Sequence, residues 1–375
     1  MIRILILTRR FEYGGAERQL VALVKGLDKT RFSLTVVPFY EGGPLLQEVE
    51  CIPGVQVLPL YKSGRWDVIP FLWRLWQAVV LVKPHIVYGY MGVANQLSLL
   101  VGWLVRGKVV WGIRASNMDL DQYGWLARML YQLECRTSRF PAFIISNSQS
   151  GKRYHADGGF PNEKIVVIPN GIDTDRFAPD QKLREKVRAE WGLTERETLI
   201  GLVARLDQMK GHPTFLRAAA FLSCEQPNLR FVCVGDGDHA YRQKIRDLSE
   251  ELGLTATLRW VGFRDDIVAV YSALDVACSS SSFGEGFSNA VGEAMACGVP
   301  CVVTDVGDSK WIVGDTGYVV VADDPKALAA SWHKMLDMGG AARGMYGQRA
   351  RERVIKHFSL DRMIDETARV FEARV

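Results

Sequence analysis

At 375 residues, 48% of them hydrophobic, the chain exceeds one ordinary core and predicts two domains. The net charge is only +4 but unevenly placed: residues 1–175 carry 20 Lys+Arg against 14 Asp+Glu, and the remainder 26 against 28. With no Lys/Arg-rich run, RNA-binding aromatic motif or zinc-finger spacing, the basic first half argues against nucleic acid and for an anionic lipid surface or a phosphate-bearing acceptor.

Seven cysteines include no Cys-x-x-Cys pair, and no His stands at a zinc-ligand spacing to Cys297 and Cys301, so reduced thiols and a cytoplasmic location are expected. The apolar start at residues 1–8 is too short for a signal peptide and ends in Arg9 and Arg10, which suits a buried first strand. No stretch reaches the roughly 20 apolar residues of a membrane span.

Short apolar runs alternate with longer periodic segments, the pattern of parallel strands joined by helices. Strands are predicted over 2–8, 34–39, 55–60, 86–88, 109–113, 142–146 and 165–169, and a second series over 199–204, 230–235, 258–261, 276–279, 299–304 and 317–320. Between the series, Asn170-Gly171-Ile172-Asp173 and a charged stretch to about Arg196 read as a hinge. Two doubly wound sheets would bind ligands at the carboxyl ends of their strands.

The first strand leads through Gly14 and Gly15 into a helix over about 16–27. Such a turn offers backbone N–H groups to an anion, and is also a common packing device. The segment from Arg65 to Lys83 predicts a helix from about Val68 that is apolar on more faces than one core contact requires. Burial between the sheet and a neighbour accounts for it; so does a membrane interface, which its Trp and Arg residues suit.

In the second series, Gly201 to His212 places Arg205, a short loop, Lys210 and Gly211 at a strand end, directly before a helix. A guanidinium fork and a mobile ammonium are the pair that would neutralise a diphosphate. Then Ser279-Ser280-Ser281-Ser282-Phe283-Gly284-Glu285-Gly286-Phe287-Ser288-Asn289, with Glu285 80 residues after Arg205, runs into a short helix holding Glu293. Glycines let the backbone approach a ligand, and the opening helix aims unpaired N–H groups at the same spot, making a phosphate site. Glu285 and Glu293 frame it, although Glu-x7-Glu as a bare spacing is common by chance.

Both motifs, with Val232 to Asp238 and Trp260 to Asp266 in order between them, resemble the signature of the family-4 (group 1) glycosyltransferases. That resemblance covers essentially the whole chain. It implies an α/β architecture of the GT-B type, two Rossmann-like doubly wound domains facing each other across a cleft. The domains would be an acceptor-side 1–170, a linker 171–196, a nucleotide-sugar donor domain 197–356 and a C-terminal helix 357–375 crossing back to the first domain. It implies a hexosyltransferase acting with retention of configuration on a UDP- or GDP-linked sugar, with no further cofactor and no metal. Arg205, Lys210 and Glu285 would be catalytic; Gly15, Gly235, Gly262, Phe263, Gly286, Phe287, Ser288, Asn289 and Glu293 would bind the donor. The base would lie at Gly262 and Phe263, the sugar hydroxyls at Glu285 and the ribose at Glu293.

The first half departs from that pattern. Relatives often carry an Asp and then a His where this chain has His85 and Tyr88, and many place a His after the next strand, where this chain has none. Tyr90, Arg114, Ser116 and Asn117 are the acceptor-side candidates that remain. Asp119-x-Asp121, Asp173-x-Asp175 and Asp236-x-Asp238 mimic a diphosphate-metal motif, but three copies at unrelated places are what chance gives, and the cationic pair makes a metal unnecessary. The scattered His residues form no triad. The acceptor is expected to be a saccharide or glycolipid in bacterial surface polysaccharide or glycolipid assembly, with peripheral membrane association through the first domain as a further expectation. A sugar-nucleotide epimerase and a non-catalytic sugar-nucleotide-binding protein are the alternatives.

Overall fold

The computed structural model describes residues 1–64, 66–114 and 125–373, with side chains of the last stretch from 128 onward. The candidates Ser116 and Asn117, and the Asp119-x-Asp121 motif, lie outside the described residues. The chain forms two compact units, one of residues 1–171 and 360–375, the other of residues 172–359.

The first unit is built on seven parallel strands: β1 (Ile2–Thr8), β2 (Phe32–Pro38), β3 (Val55–Val57), β4 (Ile86–Tyr90), β5 (Lys108–Ile113), β6 (Phe143–Ser146) and β7 (Ile165–Val167). Their order is β3-β2-β1-β4-β5-β6-β7. Side chains alternate across the pleat: Ile4 and Ile6 enter one core with Val36, Tyr88 and Val110, while Leu5 and Leu7 enter another with Val37 and Val87. Both faces of the central strands are therefore covered, which is why they read as continuous apolar runs. The C-terminal helix Leu360–Glu372 belongs to this unit. Its Phe371 meets Phe32 and Tyr88 edge-on, and Glu372 pairs with Arg31.

The second unit has six parallel strands, β8 (Thr198–Val203), β9 (Leu229–Val234), β10 (Leu258–Val261), β11 (Val276–Ser279), β12 (Cys301–Thr304) and β13 (Tyr318–Val320). They are ordered β10-β9-β8-β11-β12-β13. The strand order reverses between β8 and β11, so the loops leaving those two strands diverge and leave a crevice at their carboxyl ends.

The charged stretch before β8, read from sequence as a linker, includes the helix Gln181–Glu190. Val187 and Trp191 enter the second core, and Arg184 and Arg188 bond Asp275 at 2.7 and 3.1 Å. High charge density here marks a helix whose cations answer a carboxylate at the foot of β11. Among the described residues, no helix is long and apolar enough to cross a membrane.

Candidate functional site

Four strand exits of the second unit meet at the crevice. The chain leaving β8 makes one 3-10 turn, Gln208–Lys210, capped by the Asp207 carboxylate at the Met209 N–H, 3.1 Å away. It then passes through Gly211 into the helix His212–Ser223. Gly211 has φ +63°, and a Cβ there would lie 1.8 Å from the Ser280 carbonyl oxygen. Only glycine lets the β8 exit come this close to the β11 exit. The contact is stitched by the Ser282 N–H to the Met209 carbonyl, 2.9 Å, and the Ser280 hydroxyl to the Lys210 carbonyl, 3.0 Å.

This docking brings the two sequence motifs together. The Lys210 ammonium pairs with Glu285 Oε1, and the Ser281 hydroxyl donates to that same oxygen at 2.9 Å. Glu285 is only 7% exposed, a carboxylate held out of water between a cation and a hydroxyl. Sequence reasoning gave Lys210 to the diphosphate and Glu285 to the sugar separately. The folded chain holds them in one ion pair, so the charge a ligand meets is that of the pair together with its surroundings.

The exits of β12 and β13 brace the loop. The Thr304 hydroxyl donates to the Ser281 carbonyl at 2.6 Å, and the Asp308 N–H to the Gly286 carbonyl at 2.9 Å. Gly307, with φ +62°, passes so near the Glu285 backbone that a Cβ would sit 2.4 Å from its oxygen. Asp323, in a left-handed conformation at φ 57°, accepts the Ser282 hydroxyl at 2.6 Å and that of Thr214 at 3.3 Å. A non-glycine residue held there stores strain that its two hydrogen bonds offset.

The helix Asn289–Ala296 opens after Ser288, whose buried side chain makes no capping bond. Its first N–H groups are therefore not satisfied by the cap residue, the arrangement that receives an anion. Glu293 lies half-buried one turn in, and Tyr271 donates to its Oε2 at 3.0 Å. Burial, with Glu293 beside it, raises the Tyr271 hydroxyl well above its ordinary pKa, so it remains a donor at neutral pH.

The remaining candidates divide. Arg205 is exposed and bonds Asp207 at 2.9 Å. Gly262 and Phe263 are exposed at the end of β10. Phe287 is buried and meets Phe358 edge-on at 5.4 Å, so its ring belongs to the core. Gly235 carries no side chain because a Cβ would lie 2.1 Å from the Ala204 carbonyl oxygen. That close approach of two strand exits explains the glycine without a ligand.

In the first unit, Gly15 starts the helix Gly15–Gly26, after Gly14 in extended conformation. Tyr90 is buried, its hydroxyl donating to the Ala16 carbonyl at 2.7 Å. It positions the helix start. The Arg114 guanidinium lies 5.0 Å from the Tyr90 ring centre and bonds Asn170 Oδ1 at 3.0 Å and the Tyr88 hydroxyl at 3.4 Å. Glu17, in the same helix start, has its carboxyl pushed up by burial.

Sequence reasoning assigned no role to Ser281, Thr304, Gly307, Asp323 or Tyr271. The serine run 279–282 and the glycine three residues beyond β12 were the available signals. Nothing local marks Tyr271, because it reaches Glu293 from another helix.

Two family descriptions match the chain, "Glycosyltransferase Family 4" over residues 13–176 and "Glycosyl transferases group 1" over residues 184–353. The chain is 31% identical over 397 residues to the D-inositol 3-phosphate glycosyltransferase of Salinispora tropica, covering 96% of this chain and 80% of that one. It is 34% identical over 182 residues to the enzyme of that name from Corynebacterium jeikeium, a match spanning 46% of this chain and 43% of the relative. Among solved structures, Anabaena Alr3699/HepE in complex with UDP-glucose superposes with a TM-score of 0.85 at 22% identity, covering all of both chains. Two parallel-sheet α/β units with this likeness make the GT-B fold, and the chain belongs to the group 1, family 4 glycosyltransferases.

Proposed function

We propose that this protein transfers a sugar from a nucleotide-diphospho-sugar, UDP- or GDP-linked, to a hydroxyl of a saccharide or lipid-linked acceptor, with retention of configuration and without a metal. The observation that carries this reading is the meeting of Lys210 and Glu285 at the strand-order reversal of the second unit, beside the start of the helix Asn289–Ala296. A neighbour whose structure holds UDP-glucose supports the donor class, and a relative named D-inositol 3-phosphate glycosyltransferase supports sugar transfer.

In the mechanism, the diphosphate leaves as the acceptor hydroxyl attacks from the same face of the sugar, through an oxocarbenium-like state. The C–O bond to phosphate breaks, the bond to the acceptor oxygen forms, and the departing phosphate oxygen takes the acceptor proton. Negative charge develops on the leaving group, where Lys210, Arg205 and the helix N-terminus stabilise it; preorganised charge of this kind is usually the largest catalytic term. Glu285 holds sugar hydroxyls and keeps Lys210 in place. Glu293, oriented by Tyr271, holds the ribose.

The test incubates the protein with UDP- and GDP-sugars and a panel of saccharide and lipid-linked acceptors in excess EDTA. The product anomer is read by NMR. Transfer with retention supports the reading. An inverted product, transfer only after magnesium or manganese is restored, or an epimerised donor without acceptor would overturn it.

A further inference from the structure

Two helices of the first unit carry apolar surface on the side that faces water. In Val68–Val82, the residues Phe71, Leu75, Val79 and Val82 enter the core with Leu5, Leu7 and Val37. The opposite face repeats at i, i+3, i+4, i+7 and i+11 as Ile69, Leu72, Trp73, Trp76 and Val80, and all five are exposed, Ile69 by 82% and Trp73 by 61%. A surface helix ordinarily puts charged and polar groups there.

The helix Val93–Val105 packs into the same core through Ala94 and Val101 and is reversed in polarity. It turns Asn95 and Ser98 inward, to the Gly112 carbonyl and the Trp111 indole N–H. Outward it presents Val93, Leu100, Trp103 and Leu104, with Trp103 77% exposed. The two helices hold one charged residue between them, Arg74, and its guanidinium is bonded to Asp67 at 2.7 Å.

The charges around this surface select its occupant. Residues 51–110 contain six Lys+Arg and a single acid, Asp67. Both helices end on an exposed cation in the left-handed conformation, Lys83 at φ 46° and Arg106 at φ 53°. The two ends adjoin, because the Lys108 N–H bonds the His85 carbonyl at 2.9 Å and Gly107 packs against Pro84 and His85. Outward tryptophans with cations at one shared edge match an interface of acyl chains below anionic headgroups. Helices of 15 and 13 residues fall short of the roughly 20 needed to span a bilayer, so they lie on it.

We propose that the outward faces of these two helices form a docking surface for a bilayer carrying anionic phospholipid. The proposal stands apart from sugar transfer, and its test measures no activity. The full chain is sedimented with vesicles of phosphatidylcholine alone and of phosphatidylcholine mixed with phosphatidylglycerol. Binding to the mixed vesicles, weakened by salt, is expected. Trp73→Gln with Trp103→Gln should lower partitioning by at least about tenfold, since each loses a large buried apolar surface. Lys83→Glu with Arg106→Glu should lower binding to the mixed vesicles and leave that to phosphatidylcholine unchanged. All four side chains are exposed, and circular dichroism and melting establish that each variant folds; the charge pair carries the test if the tryptophan pair does not. Wild-type protein that stays in the supernatant with both vesicle types overturns the proposal. So does a dimer in sedimentation velocity that the tryptophan variant splits while vesicle binding is unchanged, because a second copy would then cover this face.

Discussion

The second unit gathers its polar side chains at the carboxyl ends of its strands, whereas the first unit turns the corresponding groups inward. Lys210, Glu285, Ser281, Ser282 and Asp323 meet where β8, β11 and β13 end. At the equivalent ends of β4 and β5, Tyr90 is tied to the Ala16 carbonyl, and Arg114 to Asn170 and Tyr88. One doubly wound architecture thus gathers a charged cluster at its strand ends in one copy and holds a braced polar core in the other. The first unit's distinctive chemistry lies instead on its outer helices, in exposed tryptophan and flanking cations.

Breaking the charged cluster should have the largest effect. Lys210→Ala is expected to cut turnover by on the order of a hundredfold or more, the size of losing one preorganised charge. It should also lower the melting temperature, because Glu285 is left buried without its cation, at a cost of a few kcal/mol at most. Adding Glu285→Gln should restore the melting temperature but not the turnover. Turnover within about threefold of wild type in Lys210→Ala would remove that residue from the mechanism.

Next come the two glutamates. Glu293→Ala should weaken a bare nucleotide diphosphate and the intact donor alike, by about 1.5 to 3 kcal/mol, roughly ten- to more than a hundredfold. Glu285→Ala should act mainly on the sugar-bearing ligand. Calorimetric titration of both variants with both ligands checks this division, and equal losses for both ligands in Glu285→Ala would contradict it.

A smaller effect concerns His212, at the start of the helix after Gly211. Its ring is buried, and burial outweighs the opposing pull of the Asp207 backbone to push its pKa down to about 4. The unfolded chain then binds the proton first as pH falls. His212 therefore leaves stability undiminished above about 6.5 and lowers it progressively towards pH 4, by on the order of 3 kcal/mol. Burial lowers the pKa of His155 in the first unit as well. Urea unfolding at neutral and acid pH should show a shallower pH slope in His212→Phe than in wild type.

The smallest pair sharpens the contrast between the units. Tyr271→Phe removes a hydrogen bond to a ligand-facing carboxylate, and Tyr90→Phe one to a backbone carbonyl, each worth about 0.5 to 1.5 kcal/mol. The first should appear in nucleotide affinity, the second in melting temperature alone. A loss of nucleotide affinity in Tyr90→Phe, with stability unchanged, would blur the distinction.

Much of the fold was legible because parallel strands covered on both faces write themselves as short apolar runs, and all thirteen predicted runs coincide with strands. Their ends shifted by a residue or more, as at β2, predicted over 34–39 and observed over Phe32–Pro38, and at β12, predicted over 299–304 and observed over Cys301–Thr304. The strand exits that hold Arg205, Lys210 and Glu285 could be marked in advance because glycine and charge in such a loop are local features. The Lys210–Glu285 pair could not, since it depends on Gly211 seating one loop against another 75 residues away. The packing of Phe287 was hidden for a related reason: its place in a glycine-rich motif says nothing of Phe358, which its ring meets. The helix Val68–Val82 was legible in its excess of apolar residues, but which face met the core took the packed structure to decide.

The most direct test of the central claim is a calorimetric titration of wild-type protein and Lys210→Ala with UDP, GDP and their sugars in excess EDTA. Saturable binding of at least one nucleotide diphosphate to wild type is expected, at least tenfold weaker in Lys210→Ala, the loss of one charge-assisted bond. Binding that requires a divalent metal, or a Lys210→Ala variant with wild-type affinity, would contradict a donor site built on the Lys210–Glu285 pair.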